Sequence, residues 1–152
     1  MEIFRDFKEL LASFNENAVE YLIVGGYALA HHGAPRFTGD LDLYVNPSPD
    51  NAKRVLAALD AFGFGSVALT EDDFRQPGRV VQLGVPPVRV DLITSIDGVT
   101  WDEAWRGRTV AALGDVSVSF LGRREFIANK RACGRARDLA DIEALGEDPQ
   151  RP

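Results

Sequence analysis

Apolar residues near the start of the chain recur at helical spacing. Phe4, Phe7, Leu10, Leu11 and Phe14 share one face and predict an amphipathic helix over residues 2–15. Tyr21-Leu22-Ile23-Val24 is an unbroken apolar run ended by Gly25-Gly26, the mark of a buried strand entering a tight turn. A short helix is expected over Ala28 to His32, closed by Gly33 and Pro35. Leu41 to Val45 reads as a second strand stopped by Asn46-Pro47-Ser48-Pro49, and Val55, Leu56 and Leu59 mark a helix from Asp50 to Phe62. Residues 64–77, acidic and rich in turn formers, read as a loop. Val80 to Leu83 and Val88 to Thr94 are expected strands joined by a turn at Gly84 to Pro87. A short helix follows over Trp101 to Trp105. Arg108 to Leu113 and Val116 to Leu121 flank Gly114-Asp115 as a hairpin, and Arg123 to Ala132 and Ala136 to Leu145 form helices separated by Gly134. The expected class is α+β: a mixed sheet with helices packed on it and helices at the C-terminal end.

Composition changes little in that picture. The 152 residues, 45% hydrophobic and 26% charged, suit one domain over residues 1–146 with a flexible tail over 147–152. No apolar run approaches the roughly 18 to 20 residues that span a bilayer, and Met1 to Asp6 lack the pattern of a secretory signal. A cytoplasmic protein with no membrane partner is therefore expected. The single cysteine, Cys133, excludes an internal disulfide and a thiolate metal cluster; His31 and His32, the only histidines, read as a helix-end pair. Trp101 and Trp105 are expected to pack rather than to stack on a base.

Charge is more informative in its distribution than in its sum. The net charge of −6 disfavours general nucleic-acid binding. Yet eight basic residues lie between Arg106 and Arg137, opposed there only by Asp115 and Glu125, whereas Asp40 to Asp73 is acidic. An anion-binding wall facing a cation-binding wall is one reading; two solvated faces is the other.

The candidate chemistry lies in Val24-Gly25-Gly26, thirteen further residues, and Asp40-Leu41-Asp42-Leu43. Side chains two apart on a strand point the same way, so Asp40 and Asp42 project together. Adjacent carboxylates raise one another's pKa unless a cation sits between them, and a hard divalent ion such as Mg²⁺ suits oxygen ligands. In Val88-Arg89-Val90-Asp91-Leu92-Ile93, alternation sets Arg89 and Asp91 on one side of an otherwise apolar strand, where an unpaired acid is costly. If that strand lies beside the strand of Asp42, three carboxylates face one cleft. A glycine turn between a strand and a helix lets backbone approach phosphate, although neither a Rossmann fingerprint nor a P-loop is present.

Together these residues resemble the hallmark of the polymerase-β-type nucleotidyltransferase superfamily. The local Gly-Gly-Tyr-Ala-Leu-Ala, Arg36-Phe37-Thr38-Gly39-Asp40-Leu41-Asp42 and the segment from Lys130 to Ile142 are similar to its minimal bacterial branch, which includes proteins akin to abortive-infection toxins. The resemblance spans residues 20–145. It implies Asp40 and Asp42 as ligands of two Mg²⁺ ions, and Asp91 as a ligand of the catalytic metal that helps deprotonate the attacking hydroxyl. It implies that Gly25 and Gly26 hold an NTP, that Arg36 and Thr38 touch phosphate or brace the turn, and that Lys130 reaches the β/γ-phosphates. Asp138 and Asp141 stay open between a site role and capping or pairing with Arg135 and Arg137. Many members carry serine where Gly26 stands, so phosphate binding here rests on backbone donors.

The implied activity is transfer of a nucleoside monophosphate from an NTP to a hydroxyl of an RNA, protein or small-molecule acceptor, releasing pyrophosphate. By the same analogy the protein is toxin-like, with a cognate antitoxin or helical partner. The alternatives are a nucleotide-binding regulatory module without turnover and an aminoglycoside-type antibiotic nucleotidyltransferase.

Overall fold

A computed structural model describes residues 5–34, 39–64, 68–85 and 87–150, in which helices pack on a six-stranded mixed sheet. The elements are α1 (Arg5–Glu16), β1 (Tyr21–Val24), α2 (Gly25–His31), β2 (Asp40–Val45), α3 (Pro49–Leu59), α4 (Asp72–Arg75), β3 (Val80–Val85), β4 (Val88–Ile93), α5 (Trp101–Arg106), β5 (Thr109–Leu113), β6 (Val116–Phe120), α6 (Arg123–Cys133) and α7 (Ala136–Ala144). The mixed α+β class expected from the sequence is the class observed. No helix among the described residues is long and apolar enough to cross a membrane.

The strands lie in the order β3-β4-β2-β1-β6-β5. β1 pairs antiparallel with β2 and parallel with β6; β2 pairs parallel with β4. The two outer strands close antiparallel hairpins, β3 on β4 and β5 on β6. Position in the sheet explains the sequence patterns. All four residues of β1 are buried, so its apolar run is unbroken, whereas β2 alternates until Tyr44 because its first residues open onto a cleft. Phe7, Leu10, Leu11 and Phe14 of α1 are buried together with Val55 and Leu59 of α3. This apolar face holds the sheet from one side by the usual hydrophobic term.

Local chemistry sets several element ends. Ser48 caps α3 by accepting from the Asn51 amide at 3.2 Å, with Pro49 in the first turn where its missing N–H costs nothing. Thr100 and Glu103 form a reciprocal capping box on α5. Gly134, with φ 68°, ends α6 in the left-handed conformation and lets the chain reverse into α7.

Two expectations need correction. The second helix begins at Gly25 rather than Ala28, because the turn out of β1 is compressed into Gly25 itself, at φ 66°. The stretch expected to be a loop contains α4, whose Phe74 is fully buried; a single apolar anchor holds a turn that its acidic composition concealed. Residues 65–67 lie outside the described residues. Elsewhere the elements match with ends moved by a few residues. β3 runs on into the expected turn as far as Val85, and α3 stops at Leu59 before a wider turn over Asp60–Phe64.

One buried polar group ties these parts together. Asn51 is inaccessible to solvent; its carboxamide oxygen accepts from the Glu20 amide at 2.8 Å, and its Nδ2 donates to the Glu20 and Asn46 carbonyls at 3.0 and 2.9 Å. It thereby pins α3 to the entry of β1 and the exit of β2. Asn51→Ala is expected to cost about 3 kcal/mol in urea unfolding, since three backbone groups each lose a hydrogen bond in a buried site. A loss under about 0.5 kcal/mol would show that water replaces the side chain.

Candidate active site

The site forms where β2 meets β4. Their parallel register sets Asp42 opposite Asp91 and Asp40 opposite Arg89. Residues opposite one another on neighbouring strands project to the same side, so Asp40, Asp42, Arg89 and Asp91 share one face of the sheet. The Asp91 side chain is 13% exposed and the Arg89 side chain 30%. Arg89 grips Asp91 with two hydrogen bonds, Nε to Oδ1 and Nη2 to Oδ2, both 3.1 Å, while its Nε lies 4.0 Å from Asp40 Oδ2.

Asp42 is the strained member. Burial, then the charges of Asp91 and Asp40 and a hydrogen bond shared with Asp91, push its carboxyl up to about 7; Arg89 pulls it back in part. A half-buried acid whose ionised form is disfavoured by two neighbouring carboxylates belongs to a donor set for a hard divalent cation, so these residues fit such an ion chemically. Among the described residues, however, no group of three or more acidic, histidine or cysteine side chains is gathered closely enough to hold a metal. Asp42 and Asp91 share a hydrogen bond, and the cation that lies on Asp91 and beside Asp40 is Arg89.

Gly25 lies against Asp42. A Cβ built at Gly25 would run into the Asp42 carboxylate, and its φ of 66° is one that other residues adopt only under strain. Glycine at this position therefore makes room for the acid, a role separate from any approach of phosphate. Gly26 is buried in the first turn of α2.

Asp40, Asp42, Gly25 and Gly26 line one side of a cleft of about 520 Å³, a size suited to a small-molecule ligand. Ile93, Ser95 and Asp97, following β4, form another part of the lining, and Asn129, Lys130, Cys133, Arg135 and Arg137 of the α6–α7 corner form the rest. The acidic and basic stretches of the sequence thus meet across one cavity. Lys130 is tightly held: its Nζ lies 3.3 Å from Asp138 Oδ1 and 3.2 Å from Asp141 Oδ2, and its side chain is 14% exposed. Asp138 is fully buried, accepts from Arg135 Nε at 2.7 Å and caps α7 by accepting from the Arg135 amide at 3.2 Å. Burial works to raise the Asp138 pKa, but the Arg135 and Lys130 cations and the Arg135 amide outweigh it and hold the carboxyl below its ordinary value. Arg137 lines the cleft and is exposed, with no ion pair among the described residues.

Arg123 fixes the cleft's two walls to each other. It donates to the His32 carbonyl at the end of α2 at 3.0 Å and to the Leu145 carbonyl at the end of α7 at 2.6 Å. His31 stacks on Phe120 at 4.1 Å and a His32 ring nitrogen meets the Leu121 carbonyl at 2.7 Å, so both histidines serve packing at this junction. Trp101 and Trp105 stack on each other at 5.4 Å, with Trp101 edge-on to Tyr44. Cys133 contacts Asp97 and Asn129 through its sulfur, at 3.7 and 3.8 Å, and burial is the first of the causes that raise its pKa.

Of the residues expected at the site, Gly25, Gly26, Asp40, Asp42 and Lys130 reach the cleft. Asp91 sits beside Asp42 but is engaged by Arg89. Arg36 and Thr38 lie outside the described residues.

Comparison with solved structures gives the architecture a precedent. The chain is similar to a protein from Thermotoga maritima described as a "putative nucleotidyltransferase", with TM-score 0.60 and 14% identity over 91% of this chain and 89% of the other. It is also similar to an antigenic nucleotidyltransferase-like protein from Paracoccidioides brasiliensis, with TM-score 0.56 and 20% identity over 91% of this chain and 71% of that one. The chain has the nucleotidyltransferase fold. At these identities the likeness is one of fold alone. No protein-family model matches the sequence, and no curated protein sequence matches it.

Within this nucleotidyltransferase fold, sequence reasoning missed Arg89, Arg135 and Asn129 as parts of the site. Arg89 carried a usable signal, its position two residues before Asp91 on the same side of the strand. Arg135 was visible as part of the basic stretch, while Asn129 on an ordinary helical segment gave none.

Gly25→Ala is expected to destabilise the protein by about 2 kcal/mol in urea unfolding, from the left-handed φ and the collision with Asp42. In an Asp42→Ala background the cost should shrink to the backbone part, about 1 kcal/mol; equal costs in both backgrounds would show that the two residues do not press on each other. Because the folded-state pKa of Asp138 is depressed, its stabilisation is complete above the ordinary carboxylate pKa of about 4 and is lost as pH falls through the lower folded value. Denaturant unfolding between roughly pH 3 and pH 7 should therefore show a shallower acid limb for Asp138→Asn than for wild type. Identical limbs would move the acid sensitivity to other groups.

Proposed function

We propose that the protein is a divalent-metal-dependent nucleotidyltransferase that moves a nucleoside monophosphate from an NTP to an acceptor hydroxyl. The observation that carries this reading is the β2–β4 register, which sets Asp91 on one face with Asp40 and Asp42, two acids that line a cleft across from Lys130, Arg135 and Arg137. The fold shared with the two solved structures supports it.

Asp40, Asp42 and Asp91 are the residues that would hold Mg²⁺, with two ions expected. Bound there, the metal supplies Lewis-acid stabilisation of charge on the transferring phosphate and on the departing pyrophosphate. The rest falls to the chain itself. Gly25 and Gly26, at the start of α2, form the backbone lining of the acidic wall that would receive the triphosphate. Lys130, oriented by Asp138 and Asp141, and Arg137 place positive charge where the leaving group accumulates negative charge. The acceptor oxygen attacks the α-phosphorus, the bond from that phosphorus to the bridging oxygen of pyrophosphate breaks, and the hydroxyl proton passes to the Asp91 carboxylate. A binding module without turnover is the second reading, and the engagement of Asp91 by Arg89 is the observation that favours it.

Calorimetric titration with NTP and Mg²⁺, beside transfer of label from an α-labelled NTP to mixed RNA, protein and small-molecule acceptors, tests the proposal. Asp42→Ala should abolish transfer and cut Mg²⁺-dependent NTP binding at least tenfold, while Asp91→Asn should retain most binding and lose transfer about a hundredfold or more. Mg²⁺-dependent binding unchanged by Asp42→Ala removes the metal-site argument. Binding without pyrophosphate release from any acceptor pool selects the module.

A further inference from the structure

We propose that Arg89 is a built-in counter-cation of the acid cluster that must leave Asp91 before a divalent metal can bind there, so that it sets the metal affinity of the site. This rests on reading the cluster as a metal centre and adds to it a residue that opposes the metal. Arg89 engages both oxygens of Asp91 at 3.1 Å and holds its Nε 4.0 Å from Asp40 Oδ2. It therefore addresses two of the three carboxylates that a metal would use, from two different strands. Its charge also acts favourably on the third, Asp42.

A side chain needed only to orient Asp91 would not have to reach the neighbouring strand. Arg89 does so because the register seats it opposite Asp40, with Asp91 two residues further along its own strand. The guanidinium is a fixed planar donor that stays protonated at any physiological pH, so it cannot give way by losing its proton. It has to move. A divalent ion approaching Asp91 meets donors already on both carboxylate oxygens and a like charge a few ångströms away. With Arg89 on Asp91 and beside Asp40, part of the repulsion among the three aspartates is relieved without a metal.

The test uses Mn²⁺ and nucleotide-free protein, with free metal read by electron paramagnetic resonance. Arg89→Gln should tighten Mn²⁺ binding by about tenfold, the lower end of the scale on which a neighbouring charge moves a carboxylate equilibrium, whereas Arg89→Lys should stay near wild type. Saturable binding in wild type that is unchanged or weakened in Arg89→Gln overturns the displacement role and leaves the metal centre standing. Absence of saturable binding to both proteins overturns the two together. A second measurement needs no variant: the assigned Arg89 Nε–H resonance of wild-type protein should shift and exchange faster with water as Mg²⁺ saturates, and a signal unmoved at saturation overturns the proposal.

Discussion

The parallel pairing of β2 with β4 is the constraint from which the site follows. Once Leu41 and Leu43 are turned into the core, Asp40 and Asp42 must face the other way, and the β4 register brings Asp91 alongside Asp42. A slip of one residue would turn Asp91 to the opposite face and an apolar side chain into the acid cluster. The register is secured from both sides, by the antiparallel β1 pairing and by a long apolar match along β4. The like charges are thus held by backbone hydrogen bonds and hydrophobic packing, against their own preference. Arg89, on the same face, offsets part of that tension by its two hydrogen bonds to Asp91.

The facing wall is organised on a different principle. Lys130, Arg135, Asp138 and Asp141 form a compact ion-pair network in which one acid is fully buried and the other nearly so. Two cations and two anions largely neutralise one another, so the network's first effect is to hold Lys130 in one orientation and to fasten α6 to α7. Arg137, exposed beside it, adds charge that the network does not balance. Arg123 carries the same rigidity to α2 through the carbonyls of His32 and Leu145. The two walls keep a set distance because one guanidinium is bonded to both.

Much of this was legible in the residues. Period-two alternation in β2 and β4 announced the shared face of Asp40 and Asp42 and of Arg89 and Asp91, since side-chain direction on a strand is a local property. The helical repeats of α1 and α3 were equally local. What was hidden depended on contacts between distant segments. Gly25 read as a turn for phosphate, but a side chain there would run into the Asp42 carboxylate, a closeness that exists only after β1 and β2 pair. Lys130 read as a contact of the β/γ-phosphates by resemblance, and nothing in its own helix shows that two acids of α7 will clasp it. Arg89 lay in plain view on the correct face; its role emerged only from the distances to Asp91 and Asp40. The α4 turn escaped because one buried phenylalanine leaves no periodicity.

The same face of β2 continues past the acids to Tyr44, where the aromatic cluster sits. Trp101 and Trp105 are the only tryptophans in the chain, and they stack together with Trp101 against Tyr44, two residues along from Asp42. Intrinsic fluorescence excited through indole therefore comes from a single locale, coupled through a six-residue strand to the carboxylates. The protein carries its own optical reporter at the far end of that strand, with no label required.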